Sequence, residues 1–195
     1  MVYDNINQLA FIGRSVRTFD QTRKIGRETL EYLVDTARVS PSAANRQPLK
    51  YKIVNEESEV ASLLPLTKWA GFFKDIKLPP EGHGPVAFIM ICHDKSVCEA
   101  GLYSTVDVGI AAEAINLASR ERDIASCMIG AFDKDAAAEL FMLPRTCDPV
   151  LLIALGYPEE FPIICSVGED GDTKYFRDDA GLHFVPKRKL EDILL

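Results

Sequence analysis

Four stretches of this sequence carry residue types that can do more than fold. Arg14-Ser15-Val16-Arg17 places two guanidiniums and a hydroxyl within four residues. Guanidiniums stay charged and grip phosphate bidentately, so the run can hold an anion, although read alone such a run is more often a solvated turn. Pro186-Lys187-Arg188-Lys189 is a second basic cluster near the other end. A fold that joins the two clusters makes an anion site inside an acidic chain. Between them, SPSAANRQP (40–48) supplies Pro41, Ser42, Asn45 and Gln47 around two alanines, Ala43 and Ala44. Its amides and hydroxyl can read the edge of a heterocycle, and its small residues let a flat ligand approach the backbone; an ordinary loop after a helix has the same composition. Finally, Ile129-Gly130-Ala131-Phe132 ends an apolar run in small residues. Backbone N–H groups at the C-terminal end of a strand are where α/β ligands usually sit, and a plain strand-to-helix turn is the alternative.

Other chemistries lack their residues. There is no G-x-G-x-x-G, P-loop or G-x-S-x-G motif, so a nicotinamide nucleotide would not be held by a Rossmann fingerprint. The three histidines form no triad pattern, and Cys92-His93 with Cys98 is a poor zinc spacing at the end of a buried strand pattern,. No metal is expected. Glu113 and Asn116 read as packing hydrogen-bonders within a helix. The net charge of −7 argues against nucleic acid as a partner,. No apolar stretch reaches ~18 residues, so no membrane span is expected, and MVYDNINQLAF has no signal-peptide pattern,. Five scattered cysteines read as free thiols of a reducing, cytoplasmic environment,.

The elements that must position these residues follow from periodicity. Helices are expected over 4–12, over 27–39 with Leu30, Leu33, Val34 and Ala37 on one stripe, over 105–122 and over 134–143 behind Asp133,. Strands are expected at 49–54, 85–93, 124–132 and 148–158,. The 105–122 segment is apolar or small on nearly every side, the pattern of a buried central helix,. Residues 58–84 read as a mobile helix–loop or lid with Trp69, Phe72 and Phe73 in it,. With 195 residues, 47% of them hydrophobic, one domain over 1–195 is expected,. Strands flanked by helices give an α/β or α+β layer structure.

In this order and spacing, GRSVRTFD (13–20), SPSAANRQP (40–48), DVGIAAEAINLASRERDIASCMIGAFD (107–133), ALGYP (154–158) and VPKR (185–188) resemble the nitroreductase family of FMN enzymes, along nearly the whole chain. The resemblance implies an α+β, three-layer α/β/α sandwich with a mixed or antiparallel sheet and a long buried central helix. It implies a homodimer with two FMN molecules at its interface. It also implies ping-pong reduction, in which NADH or NADPH gives up hydride and a small acceptor such as a nitroaromatic or quinone then takes it. By resemblance, Arg14, Ser15 and Arg17 hold the phosphate, ribityl chain and pyrimidine edge of FMN, and Lys187 and Arg188 close the phosphate site. Pro41, Ser42 and Ala43 would reach the flavin from the partner subunit, with Asn45 and Gln47 nearby, while Gly130 and Ala131 would lie against the ring. The flavin carries the chemistry, so no catalytic side chain is implied. Other flavin chemistry, such as dehydrogenation or dehalogenation, and a non-catalytic flavin carrier are the alternatives. Gly13 stands where the family often has a basic residue.

Overall fold

Strand β5 (Cys147–Pro158) organises the sheet because both of its edges are used. The computed structural model describes residues 5–73 and 76–195. On one side β5 pairs with β3 (Ala87–Asp94), which pairs in turn with β2 (Leu49–Val54). On the other side it pairs with β4 (Ala125–Ile129) and, at its last residues, with the two-residue β1 (Phe19–Asp20). Every one of these pairings is antiparallel. A second sheet holds β6 (Ile163–Ser166) parallel to β8 (His183–Lys187), with β7 (Phe176–Arg177) antiparallel on the other edge of β8.

The period of two sorts the strand residues into two cores. Ile89, Ile91, Ile153 and Leu155 face α2 (Arg27–Arg38) and α4 (Leu102–Glu121), meeting Leu30, Leu33, Ala112 and Ile115. Phe88, Met90, Leu152 and Ala154 face α3 (Glu57–Leu63) and α5 (Lys134–Leu140), meeting Val60, Leu63 and Ala137. Three layers result. All eight residues of β3 are buried, which is why its first six, Ala87 to Cys92, are an unbroken apolar run rather than an alternating one.

One expectation changes. Helix α4 buries only one face, through Val108, Ala111, Ala112, Ile115 and Asn116, while Leu102, Tyr103, Val106 and Ile110 are exposed. The apolar surround read from its sequence is thus covered by this chain on one side alone. The 58–84 region begins as α3 and a short 3₁₀ turn (Leu64–Leu66), then Thr67 bridges to Phe132. Lys74 and Asp75 of that expected lid, and the Asp4 start of the expected first helix, lie outside the described residues. The first described helix, α1, runs Ile6–Ile12 behind an Asn5 cap.

Where β1 meets β5, Phe19 is fully buried. A Cβ at Gly156 would come within 2.8 Å of its Cδ1 and 2.9 Å of its Cβ and Cγ. Glycine is required there by close approach. Gly156→Ala should therefore lower the unfolding free energy by about 1–3 kcal/mol, the usual cost of overpacking. Urea denaturation reads this directly, and an unchanged midpoint would show that Phe19 moves aside freely.

Candidate functional site

The segment carrying Arg14, Ser15 and Arg17 is extended and fixed by its backbone. Gly13 ends α1 by donating its N–H to Leu9 O at 2.8 Å, Val16 N–H donates to Ser126 O on β4 at 3.0 Å, and Phe19 N–H donates to His83 O at 2.9 Å. Between these anchors, Arg17 N–H donates to Glu160 Oε1 at 2.5 Å. A Cβ on residue 13 would lie 2.9 Å from Asn116 Nδ2 and 3.0 Å from Leu9 O, so a side chain here would displace the hub of this corner. That hub is Asn116 on α4. It accepts from Ser126 Oγ at 2.8 Å and donates from Nδ2 to Glu113 Oε2 at 3.1 Å and Gly13 O at 3.3 Å.

These anchors bring Arg14, Ser15 and Arg17 to one cavity of about 310 Å³, and Lys187 from β8 lines the same cavity. The two ends of the chain thus converge. Arg14 Nη2 donates to Ala10 O at 2.7 Å, and the Arg17 guanidinium lies 4.9 Å from the Tyr175 ring centroid. The Nε atoms of Arg14 and Arg17 are buried with no hydrogen-bond partner. Buried donors without acceptors are costly, and an anion in the cavity is what would satisfy them. Arg188 instead lines the neighbouring groove of about 450 Å³, beside Phe11 and Ile164.

Glu160 organises the wall behind Arg17. It accepts from Arg17 N–H and, through Oε2, from Arg177 Nη2 at 2.6 Å, with His183 Nδ1 at 3.7 Å. Burial pushes its carboxyl up, but His183, the Arg17 N–H and Arg177 together outweigh this and leave it below the ordinary value. Phe73 packs on Tyr175, His183 and Arg177 at ring distances of 4.9, 5.5 and 5.7 Å, closing the wall with aromatic surface.

The 40–48 stretch lies elsewhere on the chain, against the N-terminal half of α4. Ser42 Oγ donates to Asp107 Oδ2 at 2.7 Å, Ala43 N–H donates to Asp107 Oδ1 at 3.0 Å, and Gln47 N–H donates to Ser42 Oγ at 3.0 Å. The Ser42 hydroxyl is therefore occupied within its own loop. Ala44, Asn45 and Gln47 all have positive φ, between 50° and 53°, a conformation that costs of order 1–3 kcal/mol at each non-glycine residue. The buried Asp107 carboxylate holds that conformation. Pro41 and Ser42 line a cavity of about 240 Å³ and Ala43 one of about 310 Å³; neither includes Arg14, Ser15, Arg17 or Lys187. Gly130 and Ala131 join β4 to α5 and are exposed. Ala131 O accepts from Lys68 N–H at 2.8 Å, and the space where a Gly130 Cβ would sit is open.

Glu160, Tyr175, Arg177, His183 and Asp107 were not singled out by sequence. The first four lie in short polar stretches with no periodic signal. Asp107 was legible as an acid between two valines, Val106 and Val108, in an apolar-rich part of α4, a position that demands a partner,. Among the described residues, no group of His, Cys, Asp and Glu could hold a metal, and no helix is long and apolar enough to cross a membrane.

The fold is thus a three-layer α+β arrangement around an antiparallel sheet, in which residues from near both ends of the chain line one basic cavity. A model of the Nitroreductase family matches residues 14–157, and the chain belongs to that family. It is 27% identical over 153 residues to a Methanothermobacter thermautotrophicus protein named for NADH dehydrogenase/NAD(P)H nitroreductase activity, covering 76% of this chain and 75% of that one. Its fold is that of a nitroreductase family protein from Clostridium novyi, with a TM-score of 0.65 at 18% identity over 98% of this chain and 99% of that one. A nitroreductase from Exiguobacterium sibiricum, solved in complex with FMN, has a TM-score of 0.66 at 20% identity over 82% of this chain and 91% of that one.

Asp107→Ala should leave Ser42 Oγ and Ala43 N–H unpaired and cost about 2 kcal/mol, near 1 kcal/mol for each lost bond. Hydrogen exchange should then quicken in residues 43–47 ahead of the sheet; uniform protection would place the loop's restraint elsewhere. Glu160 titrates below its unfolded value, so its contribution is complete above the ordinary 4.5 and is lost as pH falls through the depressed folded value,. Glu160→Gln should flatten the acid limb of the stability–pH curve there, an effect that a purely spatial role would not produce.

Proposed function

We propose that this protein is a flavoprotein oxidoreductase that holds FMN in the Arg14–Arg17–Lys187 cavity and uses NADH or NADPH to reduce small acceptors such as nitroaromatics or quinones in a ping-pong cycle. The observation that carries the reading is the convergence of Arg14, Ser15, Arg17 and Lys187 on one cavity, with two guanidinium Nε atoms buried and unpartnered. A phosphate monoester brings about −1.5 to −2 charges near neutral pH, which answers that donor set. The cavity volume is at the lower end of cofactor sites, as suits a site shared between subunits.

FMN, when bound, supplies the hydride chemistry. The chain binds and orients. Arg14 and Lys187 would take the phosphate, Ser15 the ribityl chain, and Arg17 the pyrimidine edge, where its fixed charge favours added negative charge on the ring. Phe73 and Tyr175 keep water from the Arg17 side. The residues expected from a partner subunit, Pro41, Ser42 and Ala43, lie away from this cavity in the single chain, beside the exposed apolar face of α4. A homodimer that covers Leu102, Tyr103, Val106 and Ile110 would bring that loop to the other chain's cavity, with Asn45, Gln47, Gly130 and Ala131 around the ring. The free thiols of all five cysteines support a reducing, cytoplasmic setting,.

Purified protein should be yellow, with a band near about 450 nm and FMN released on denaturation. Arg17→Ala should weaken FMN binding about 10- to 150-fold, corresponding to a charge-assisted bond of ~1.5–3 kcal/mol. Lys187→Ala, at an exposed position, should weaken FMN by roughly fivefold and leave riboflavin unchanged. A protein that refuses added FMN, or mutants with wild-type affinity, would remove this reading.

A further inference from the structure

One wall of the cavity is built by residues beyond 157, where the family match ends. Side chains alternate along β8, and His183, Val185 and Lys187 share the face that lines the cavity,. Phe184 points away and stacks on Phe176 at 5.2 Å. Four residues of extended strand separate His183 from Lys187 by about 13 Å, at ~3.3 Å per residue. The strand therefore carries two basic groups at well-separated points of one cavity.

His183 is only 4% exposed, and neither of its ring nitrogens has a hydrogen-bond partner. Its Nδ1 lies 3.7 Å from Glu160 Oε2. The other charged and titratable groups around it are Arg177, bonded to Glu160, and Arg17 with Tyr175, whose ring is 5.7 Å away. Arg14, Glu113 and Lys187 complete the charged lining. With Nδ1 set against Glu160, the buried Nε2 is the ring nitrogen left without a protein partner, and it calls for one inside the cavity,.

Building on the FMN reading, we propose that His183, as an imidazolium set against Glu160, binds the acceptor edge of the flavin ring while Lys187 holds the phosphate further along the same strand. The Glu160 carboxylate fixes a proton on Nδ1. Nε2 then presents an N–H only when the ring is doubly protonated, and a lone pair when it is neutral. One proton thus switches this part of the wall from acceptor to donor. Arg17 approaches the same region from the N-terminal segment, but its charge does not change with pH; of these two basic groups, His183 is the one whose charge can change. Ring affinity is therefore higher with His183 doubly protonated than with it neutral.

The test uses riboflavin, which keeps the ring and lacks the phosphate, so the ligand's own phosphate titration does not enter. Binding to the full chain stripped of flavin is read from the change in flavin fluorescence. Riboflavin affinity should fall about tenfold between about pH 5.5 and pH 8, the lower end of what a charge-assisted hydrogen bond contributes. His183→Gln should show no slope and bind at the wild type's alkaline level at every pH. The wild-type slope needs no variant, so the prediction survives a His183→Gln protein that fails to fold. A flat wild-type profile, or a slope retained in His183→Gln, would overturn the role of His183 and leave FMN binding intact. Absence of riboflavin and FMN binding at any pH would overturn the flavin reading and this inference together.

Discussion

Burial of the Arg17 guanidinium is the constraint to which this corner of the molecule answers. Arg17 is 8% exposed, and taking a guanidinium out of water costs several kcal/mol unless other groups replace its hydration. The replacements present are partial. Tyr175 offers a ring face, and Glu160, the nearest carboxylate, bonds to Arg17's backbone N–H rather than bridging its side chain. Glu160 also carries Arg177 and stands beside His183. One acid serves three cationic or donor groups, and the excess positive charge faces the cavity. In a chain with a net charge of −7, three cations, Arg14, Arg17 and Lys187, thus line one cavity.

Holding that arrangement requires the rest of the fold. The N-terminal segment contributes no regular element around Arg14 to Arg17, so it borrows rigidity from its neighbours. β4 accepts from Val16, α4 supplies Asn116, and the end of β5 leaves room at Gly156 for Phe19. The sheet matters to the site mainly because β5 places the turn after Pro158, and with it Glu160, beside the same segment. The 40–48 loop is organised on another principle. Its three non-glycine residues with positive φ, Ala44, Asn45 and Gln47, follow Ser42 and Ala43, which a single buried acid, Asp107, anchors to α4.

Much of this was legible from residue order. LKYKIV alternates and is β2; AFIMIC is apolar throughout and, with His93 and Asp94, is the fully buried β3; RETLEYLVDTAR has a single stripe and is α2. In each case burial against a large neighbour sets the pattern. The second sheet was not legible. β6, β7 and β8 have four, two and five residues in a stretch rich in Gly and Asp, too short to carry a periodic signal. Arg14, Arg17 and Lys187 were found because charge clusters stand out in sequence. Glu160 and His183 are single polar residues whose significance exists only once β5 and β8 are placed. The exposed side of α4 shows a related limit: apolar composition alone does not tell which side of a helix its own chain buries.

The alternation along β8 also governs how this tail can vary in length. Gly181, at φ 80°, and Asp178, which accepts from the N–H groups of Ala180 and Leu182, shape the turn entering the strand. Removing one residue from that turn and shifting the strand by one would reverse its faces. Phe184, Pro186 and Arg188 would then replace His183, Val185 and Lys187 on the cavity side, exchanging an ionisable wall for an aromatic one with its cation displaced. Deletions or insertions of two residues preserve the facing. Descendants of this sequence should therefore lengthen or shorten the 178–182 turn in even steps, or else relocate the changes to the 167–174 loop, where strand register is indifferent to them.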